Sequence, residues 1–465
     1  MVLSDVIVIG TGFSSAILTR KLAKSGYKVI VIEARNKLGG RTSTINLNDH
    51  KIDAGCSFIH GFSETHPLAS IAKELGIEIT PAQPKESGDL PNVIINSNSL
   101  PLDQITQTNI QKSLDAAVNK AKSSNDNITL FNFISHSLKN DLSGDELTIA
   151  ESLIGSLEAP VGMSLNEVKV FDFGWENSIK GWVYCYFFLI DKFLFNINYN
   201  RIDAVVKDGY INLLNRIWED CTATGNVNMH FNHRVVEINT QNSKAIVNTS
   251  SGQLEGQFEA KYVVCSIPLA VLQKGTITFT PQLPQNKLDA ITQSKVGILE
   301  KAIFTYNDYF WRPNLKATNF TILPTRNNDY TSPKAVFESA VLNVQSFPNH
   351  PSLLIYLSST AVKNLRKFDR NDILTAAADV LSNKLGGNNV KPVEAYLTSW
   401  LDEPETNGAT STSTPQSLLN VISEPVQNGI LGFAGEHCGD HDHGSVNGAV
   451  FSGITEANRL INLLK

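Results

Sequence analysis

The chain has 465 residues, 42% of them hydrophobic and 18% charged, with a net charge of −6. That length and apolar share support a large core in two or more domains, and the acidic balance argues against a nucleic-acid partner, which needs a basic face. No apolar run reaches the length of about eighteen residues that a membrane span requires, and the five cysteines, odd in number and without a C-x-x-C pair, fit a reducing, cytoplasmic setting.

Asp5-Val6-Ile7-Val8-Ile9 reads as a strand; the acid within its apolar run suits a core strand better than a leader peptide. It feeds Gly10-Thr11-Gly12-Phe13-Ser14-Ser15 and then a helical pattern (Ala16, Ile17, Leu18, Leu22, Ala23) stopped by Gly26. A second strand, Lys28-Val29-Ile30-Val31-Ile32, ends on Glu33. Strand, glycine turn, helix, strand and acid in that order form a dinucleotide-binding unit. Gly10 allows the tight turn, Gly12 lets the backbone come close to a pyrophosphate, and the positive end of the helix faces the phosphates. Ser15 occupies the third fingerprint position, where the helix packs on the strand and a small side chain serves. Glu33 is placed to accept hydrogen bonds from a ribose, and its charge disfavours NADP.

Directly downstream, Glu33-Ala34-Arg35-Asn36-Lys37-Leu38-Gly39-Gly40-Arg41 supplies two glycines for close backbone approach and two guanidiniums able to neutralise a pyrophosphate. With Asp53-Ala54-Gly55-Cys56-Ser57-Phe58-Ile59-His60-Gly61, this segment resembles the flavin-containing amine oxidases, and within them the polyamine oxidase branch. The resemblance implies FAD as cofactor, and an α/β fold in which a Rossmann-type FAD-binding domain is assembled from three chain segments. The implied domains are 1–80, 225–285 and 401–465 for FAD, with 81–224 and 286–400 forming an α+β substrate-binding domain.

Further along, Pro67 to Gly76 reads as a short amphipathic helix, and the Asn/Ser/Asp/Lys/Gln-rich residues 81–150 as surface helices and loops of a second lobe. Eight aromatics from Trp182 to Tyr199 suit a buried helix or the wall of an apolar channel. Val227–Phe231 and Arg234–Ile238 read as a hairpin, and the resemblance assigns the backbone of Val235 to the adenine. Tyr262–Ile267 is an apolar strand ending at Pro268, where an N–H is dispensable. Ile430–Glu436 is another strand ending in an acid, followed by Gly444-Ser445-Val446-Asn447-Gly448-Ala449 opening a helix. In the resemblance Glu436 holds the ribityl–pyrophosphate region, and the helix starting at Val446 faces the pyrimidine edge of the flavin.

Two side chains stand out for chemistry. Lys301 sits inside an apolar strand pattern (Ala302, Ile303, Phe304), where lysine is rare; in the family it reaches the flavin N5 through a water. His60 matches the histidine of polyamine oxidases that orients the amine chain. The implied reaction is hydride transfer from a C–N carbon of a small-molecule polyamine to FAD, with O2 reduced to peroxide and the imine hydrolysed. Ala409 stands where monoamine oxidases carry the cysteine that tethers FAD, so the cofactor is expected to be non-covalent. Thr410 and Ser445 replace the two aromatics that cage the amine in many relatives. With the 182–199 stretch, that departure leaves a second reading, a flavin-containing binding protein for an apolar ligand such as a steroid. The His- and acid-rich run 436–443 reads as a loop beside the cofactor, not as a metal site.

Overall fold

A computed structural model describes residues 4–82, 92–171, 202–250, 255–439 and 442–465. Among these residues, the first domain is built on an eight-stranded sheet. Strand β1 (Ser4–Ile9) lies at its centre, parallel to both β2 (Val29–Ile32) and the long strand Glu255–Cys265. Val6, Ile7 and Val8 are fully buried, as a parallel strand covered on both faces requires. The helix α1 (Phe13–Lys24) covers one face together with the C-terminal helix Val446–Leu464 and the helix Tyr210–Ala223. The strand Leu431–Phe433 joins the sheet beside Glu255–Cys265, so three distant chain segments form one sheet.

Two expectations change here. Val227–His230 and Arg234–Asn239 do not form a hairpin. The first pairs with β2 in parallel, while the second lies on the far side of the sheet, antiparallel to Ala245–Ser250. The linking residues cross over the carboxyl ends of β1 and β2: Asn232 N–H donates to Arg35 O (3.0 Å) and His233 N–H to Glu33 O (2.9 Å). The domain boundaries also fall elsewhere. Leu213, Leu214 and Ile217 pack into the same core as Val6, Leu18 and Leu22, so the first domain takes back the chain by about residue 202, not at 225. Ala290 and Ile291 pack with Ile7, Val263 and Phe433, which carries the first domain past 286.

The second domain has a six-stranded sheet, running in order Glu394–Leu397, Glu300–Thr305, Ser352–Leu357, Leu342–Ser346, Asn319–Ile322, Val93–Ile95. The helices Gln104–Lys122, Leu130–Asp141 and Gly144–Ile154 carry polar outer faces, yet Ile110, Leu114, Ile134 and Leu153 enclose a core of their own. The aromatic stretch 182–199 lies outside the described residues. A small sheet, Ile59–Phe62, Ile202–Val206 and Ile79–Pro81, packs on the core of the first domain through Ile59, Ala204 and Val206.

Candidate active site

One cavity of about 350 Å³ is lined by Gly10, Gly12, Glu33, Arg35, Gly40, Arg41, Val235, Glu436 and Val446, and also by His60 and Lys301. Ser15 stands behind its wall: fully buried, its Oγ lies 2.5 Å from Ser266 Oγ, which in turn donates to Ile9 O. That is the packing role expected of the third fingerprint position.

The wall at the end of β1 is bare. Gly10 has φ +103°, and a Cβ there would sit 2.7 Å from Ser266 Oγ, so the turn itself requires glycine. Gly12 differs, because a Cβ there would meet nothing within 4 Å; the room lies on the cavity side. Glu33 is buried and accepts from Thr11 Oγ1 (2.6 Å) and Arg35 N (2.9 Å). Arg35 donates to Gly40 O (2.8 Å) and lies 3.7 Å from Glu33 and 3.5 Å from Glu403, so its charge also fastens the surrounding loops. Arg41 pairs with Glu436 (2.7 Å) and donates to Ala409 O (3.1 Å). Burial alone pushes the Glu436 carboxyl up. Arg41, His437 and the Ser411 hydroxyl outweigh it and hold the group at about 2. Gly444 N–H adds a further donor at 3.1 Å.

Two helix N-termini open on the cavity: Phe13 and Ser14 begin α1, and Val446 follows Ser445, whose Oγ accepts from Gly448 N–H. Bare glycine backbone, a buried acid at the ribose position and two positive helix ends fit a dinucleotide cofactor. Ala409, on the wall, offers no thiol to bond it.

Lys301 lies on the strand Glu300–Thr305 and is 6% exposed. Its ammonium donates to Asp53 O (2.9 Å), Gly55 O (2.6 Å) and Ser57 Oγ (2.7 Å), which uses all three protons. Burial pulls its pKa from 10.5 to about 8 against the opposing charge of Asp53. Asp53, which accepts from Thr44 Oγ1 and Tyr210 N, is itself raised by burial to about 6. The Tyr356 ring lies 5.7 Å from the Lys301 nitrogen, and Trp400 Nε1 donates to Ala54 O at 3.3 Å. Both rings line the cavity with Phe58.

Thr410 Oγ1 donates to Gly444 O (2.6 Å) and Ser445 Oγ to Asp442 O (2.5 Å). These hydroxyls secure the 442–444 loop. His60 Nδ1 lies 2.7 Å from Asp203. Asp203 was missed from sequence, although it carries the mark that singled out Lys301: a charge inside an apolar strand, Ile202-Asp203-Ala204-Val205-Val206. Among the described residues no group of three or more His, Cys, Asp or Glu is arranged to hold a metal ion.

This chain belongs to the flavin-containing amine oxidoreductase family, whose sequence profile matches residues 17–461. It is an FAD-dependent amine oxidase. It is 26% identical over 470 residues to polyamine oxidase 5 of Oryza sativa subsp. japonica, covering 97% of this chain and 87% of that one. Probable polyamine oxidase 4 of Arabidopsis thaliana is likewise 26% identical, over 97% of this chain and 86% of the relative. Lysine-specific histone demethylase 1B of Mus musculus is 24% identical, over 98% of this chain and 52% of that protein. The fold superposes on putrescine oxidase bound to putrescine with a TM-score of 0.74, at 20% identity and 99% coverage of both chains.

Proposed function

We propose that the substrate is a polyamine, spermine or an N-acetylated derivative, oxidised with O2 as electron acceptor in a reducing, cytoplasmic setting. FAD held in this cradle would supply the hydride-accepting chemistry and the route of the electrons to O2, with peroxide as product. The residues assigned to hold it are Gly10, Gly12, Glu33, Arg35, Gly40, Arg41, Val235, Glu436 and Val446, with Ser15 keeping α1 seated. The observation that carries the reading is that Lys301 and His60 line the same cavity as this cradle.

The amine must lose its proton before the C–H beside it is cleaved, and an enclosed site of low polarity favours the neutral form. Phe58, Tyr356 and Trp400 make that part of the wall apolar, while His60 offers one polar contact for the chain. The four described cysteines are free, which supports the reducing setting. The binding-protein reading draws on residues 182–199, which are not described, and on the lost cage; membership of the oxidase family favours catalysis.

Anaerobic mixing of the yellow protein with spermine or N-acetylspermine is expected to bleach the flavin within seconds. His60→Ala should slow that bleaching about ten- to a hundredfold, the effect of one hydrogen bond to an amine. Failure of every amine to bleach the flavin, with steroids raising the melting temperature instead, rules out the oxidase reading.

A further inference from the structure

The strand Ile59–Phe62 pairs with Ile202–Val206 antiparallel, with Ile59 opposite Ala204 and Phe62 opposite Ile202. Two residues, His60 and Gly61, therefore face one, Asp203. This is a β-bulge, the device that re-aims a side chain beside a functional site. Gly61 takes φ +59°, which a side chain would resist. Its N–H donates to Asp203 Oδ1 at 3.0 Å, while Oδ2 lies 2.7 Å from His60 Nδ1. Asp203 is 7% exposed. One carboxylate thus holds both residues of the bulge, and the imidazole it holds lines the substrate cavity.

A carboxylate accepts only, so Nδ1 must carry a hydrogen and the lone pair of the neutral ring lies on Nε2. We propose that Asp203 is a positioning residue for amine oxidation, fixing His60 in the tautomer whose Nε2 takes the proton of the substrate ammonium. In that step one N–H bond of the ammonium breaks and one forms at Nε2, and the electron pair stays on the substrate nitrogen. The imidazolium is stabilised by Asp203 and returns its proton to solvent as product leaves. The inference rests on an amine being the substrate.

Among the described residues, other titratable groups near His60 have partners of their own. His66, at the start of the helix Pro67–Glu74, accepts from Leu68 N on Nδ1 and faces Asn447 Oδ1 through Nε2. Burial lowers its pKa and keeps it neutral. Asn447 donates to His60 O (2.8 Å) and to Asp442 (3.2 Å). Lys301, Glu436 and Arg41 lie on other parts of the cavity wall, each with the partners given above. Asp203 bonds the His60 ring at Nδ1.

The bulge makes the Asn substitution informative. In Asp203→Asn the amide oxygen must still face Gly61 N–H, which turns the NH2 towards Nδ1. Nδ1 then becomes an acceptor, and the hydrogen moves to Nε2. The variant should keep FAD and its spectrum yet reduce with spermine about a hundredfold more slowly, the scale of lost general-base action. With the carboxylate gone, the imidazolium is less stable, so the acid limb of the reduction rate moves to lower pH. Asp203→Glu should restore that limb towards wild type, and Asp203→Asn should add nothing in a His60→Ala background. Wild-type reduction rates and an unmoved limb, or additive losses in the double variant, overturn the proposal. Nitrogen NMR of ring-labelled histidine, assigned by the signals lost in His60→Ala, reads the tautomer in the resting protein. A hydrogen on Nε2 in the wild type overturns the proposal even where no amine bleaches the flavin; a hydrogen on Nδ1 that moves in Asp203→Asn supports it independently of the substrate.

Discussion

Replacing Lys301 by Met tests whether a buried ammonium holds the turn 53–57. The variant loses the bonds to Asp53 O, Gly55 O and Ser57 Oγ, and each buried carbonyl left unpaired costs about 1–3 kcal/mol. Against that stands the burial of the cation, which takes its pKa from 10.5 to about 8. That displacement corresponds to about 3 kcal/mol held against the charged form. At pH 7 the two effects nearly offset, so Lys301→Met should fold, keep FAD and lose at most about 3 kcal/mol. The pH dependence separates them. The folded pKa lies below the unfolded one, so the unfolded chain binds more protons between pH 8 and 10.5, and wild-type stability rises across that window. Met does not titrate, and the wild type should therefore gain about 3 kcal/mol on the variant from pH 8 to 10.5. Urea denaturation followed by tryptophan fluorescence at pH 7, 8, 9 and 10 reads the difference. A gap that stays constant over that range refutes the buried-ammonium argument. Unchanged flavin reduction and reoxidation in the variant would separately remove Lys301 from the chemistry.

Three further outcomes are expected. Gly12→Ala should leave the melting temperature of the apoprotein unchanged, because its methyl meets nothing within 4 Å, while FAD affinity falls; equal FAD affinity in a titration counts against the cradle. Acid or heat denaturation should release the flavin into the supernatant, since Ala409 cannot tether it, and flavin remaining with the precipitate refutes this. Glu436, held at about 2 against a usual 4.5, contributes stability that is fully present above pH 4.5 and lost as pH falls towards 2, about 3 kcal/mol in all. Glu436→Gln should lack that slope in urea midpoints between pH 3 and 6, and parallel profiles for the two proteins contradict the pairing with Arg41.

The parts of the fold visible in the sequence are those whose cause is local. The run Asp5–Ile9, the glycine turn and the helix to Lys24 declare themselves through period and turn chemistry within twenty residues. The supposed hairpin at 227–238 failed because two short strands with a tight link look alike whether they pair or cross. What decided it was the pair of bonds from Asn232 and His233 to Arg35 and Glu33, some two hundred residues away. Tyr210–Ala223 shows an amphipathic pattern in Leu213, Leu214 and Ile217, but that pattern does not say which core receives it. Lys301 was found and Asp203 was not, although each is a charge in an apolar strand. Lys301 matched a lysine of the family it resembles, while the meaning of Asp203 depends on His60, 143 residues earlier.

The same strand that presents Lys301 also explains how the two domains grip the cavity. Glu300 and Lys301 are adjacent, buried and of opposite sign, yet strand alternation sends them to opposite faces and keeps them from neutralising each other. Glu300 accepts from Thr398 Oγ1 and from Leu401 N–H at 2.8 Å, while Lys301 binds the turn 53–57. The segment that Glu300 anchors runs on along the cofactor cavity. Trp400 bonds Ala54 O, Glu403 approaches Arg35, Glu405 pairs with Arg234, and Ser411 bonds Glu436. One strand of the second domain therefore holds the cavity from two sides, and a change at Glu300 should reach Arg35 and Arg234 through this segment without touching the cofactor. Glu300→Gln keeps the shape and one acceptor, so its effect should appear first as faster FAD release and leave amine-dependent flavin reduction intact. Slower reduction with FAD retention unchanged would place Glu300 with Lys301 in the chemistry instead.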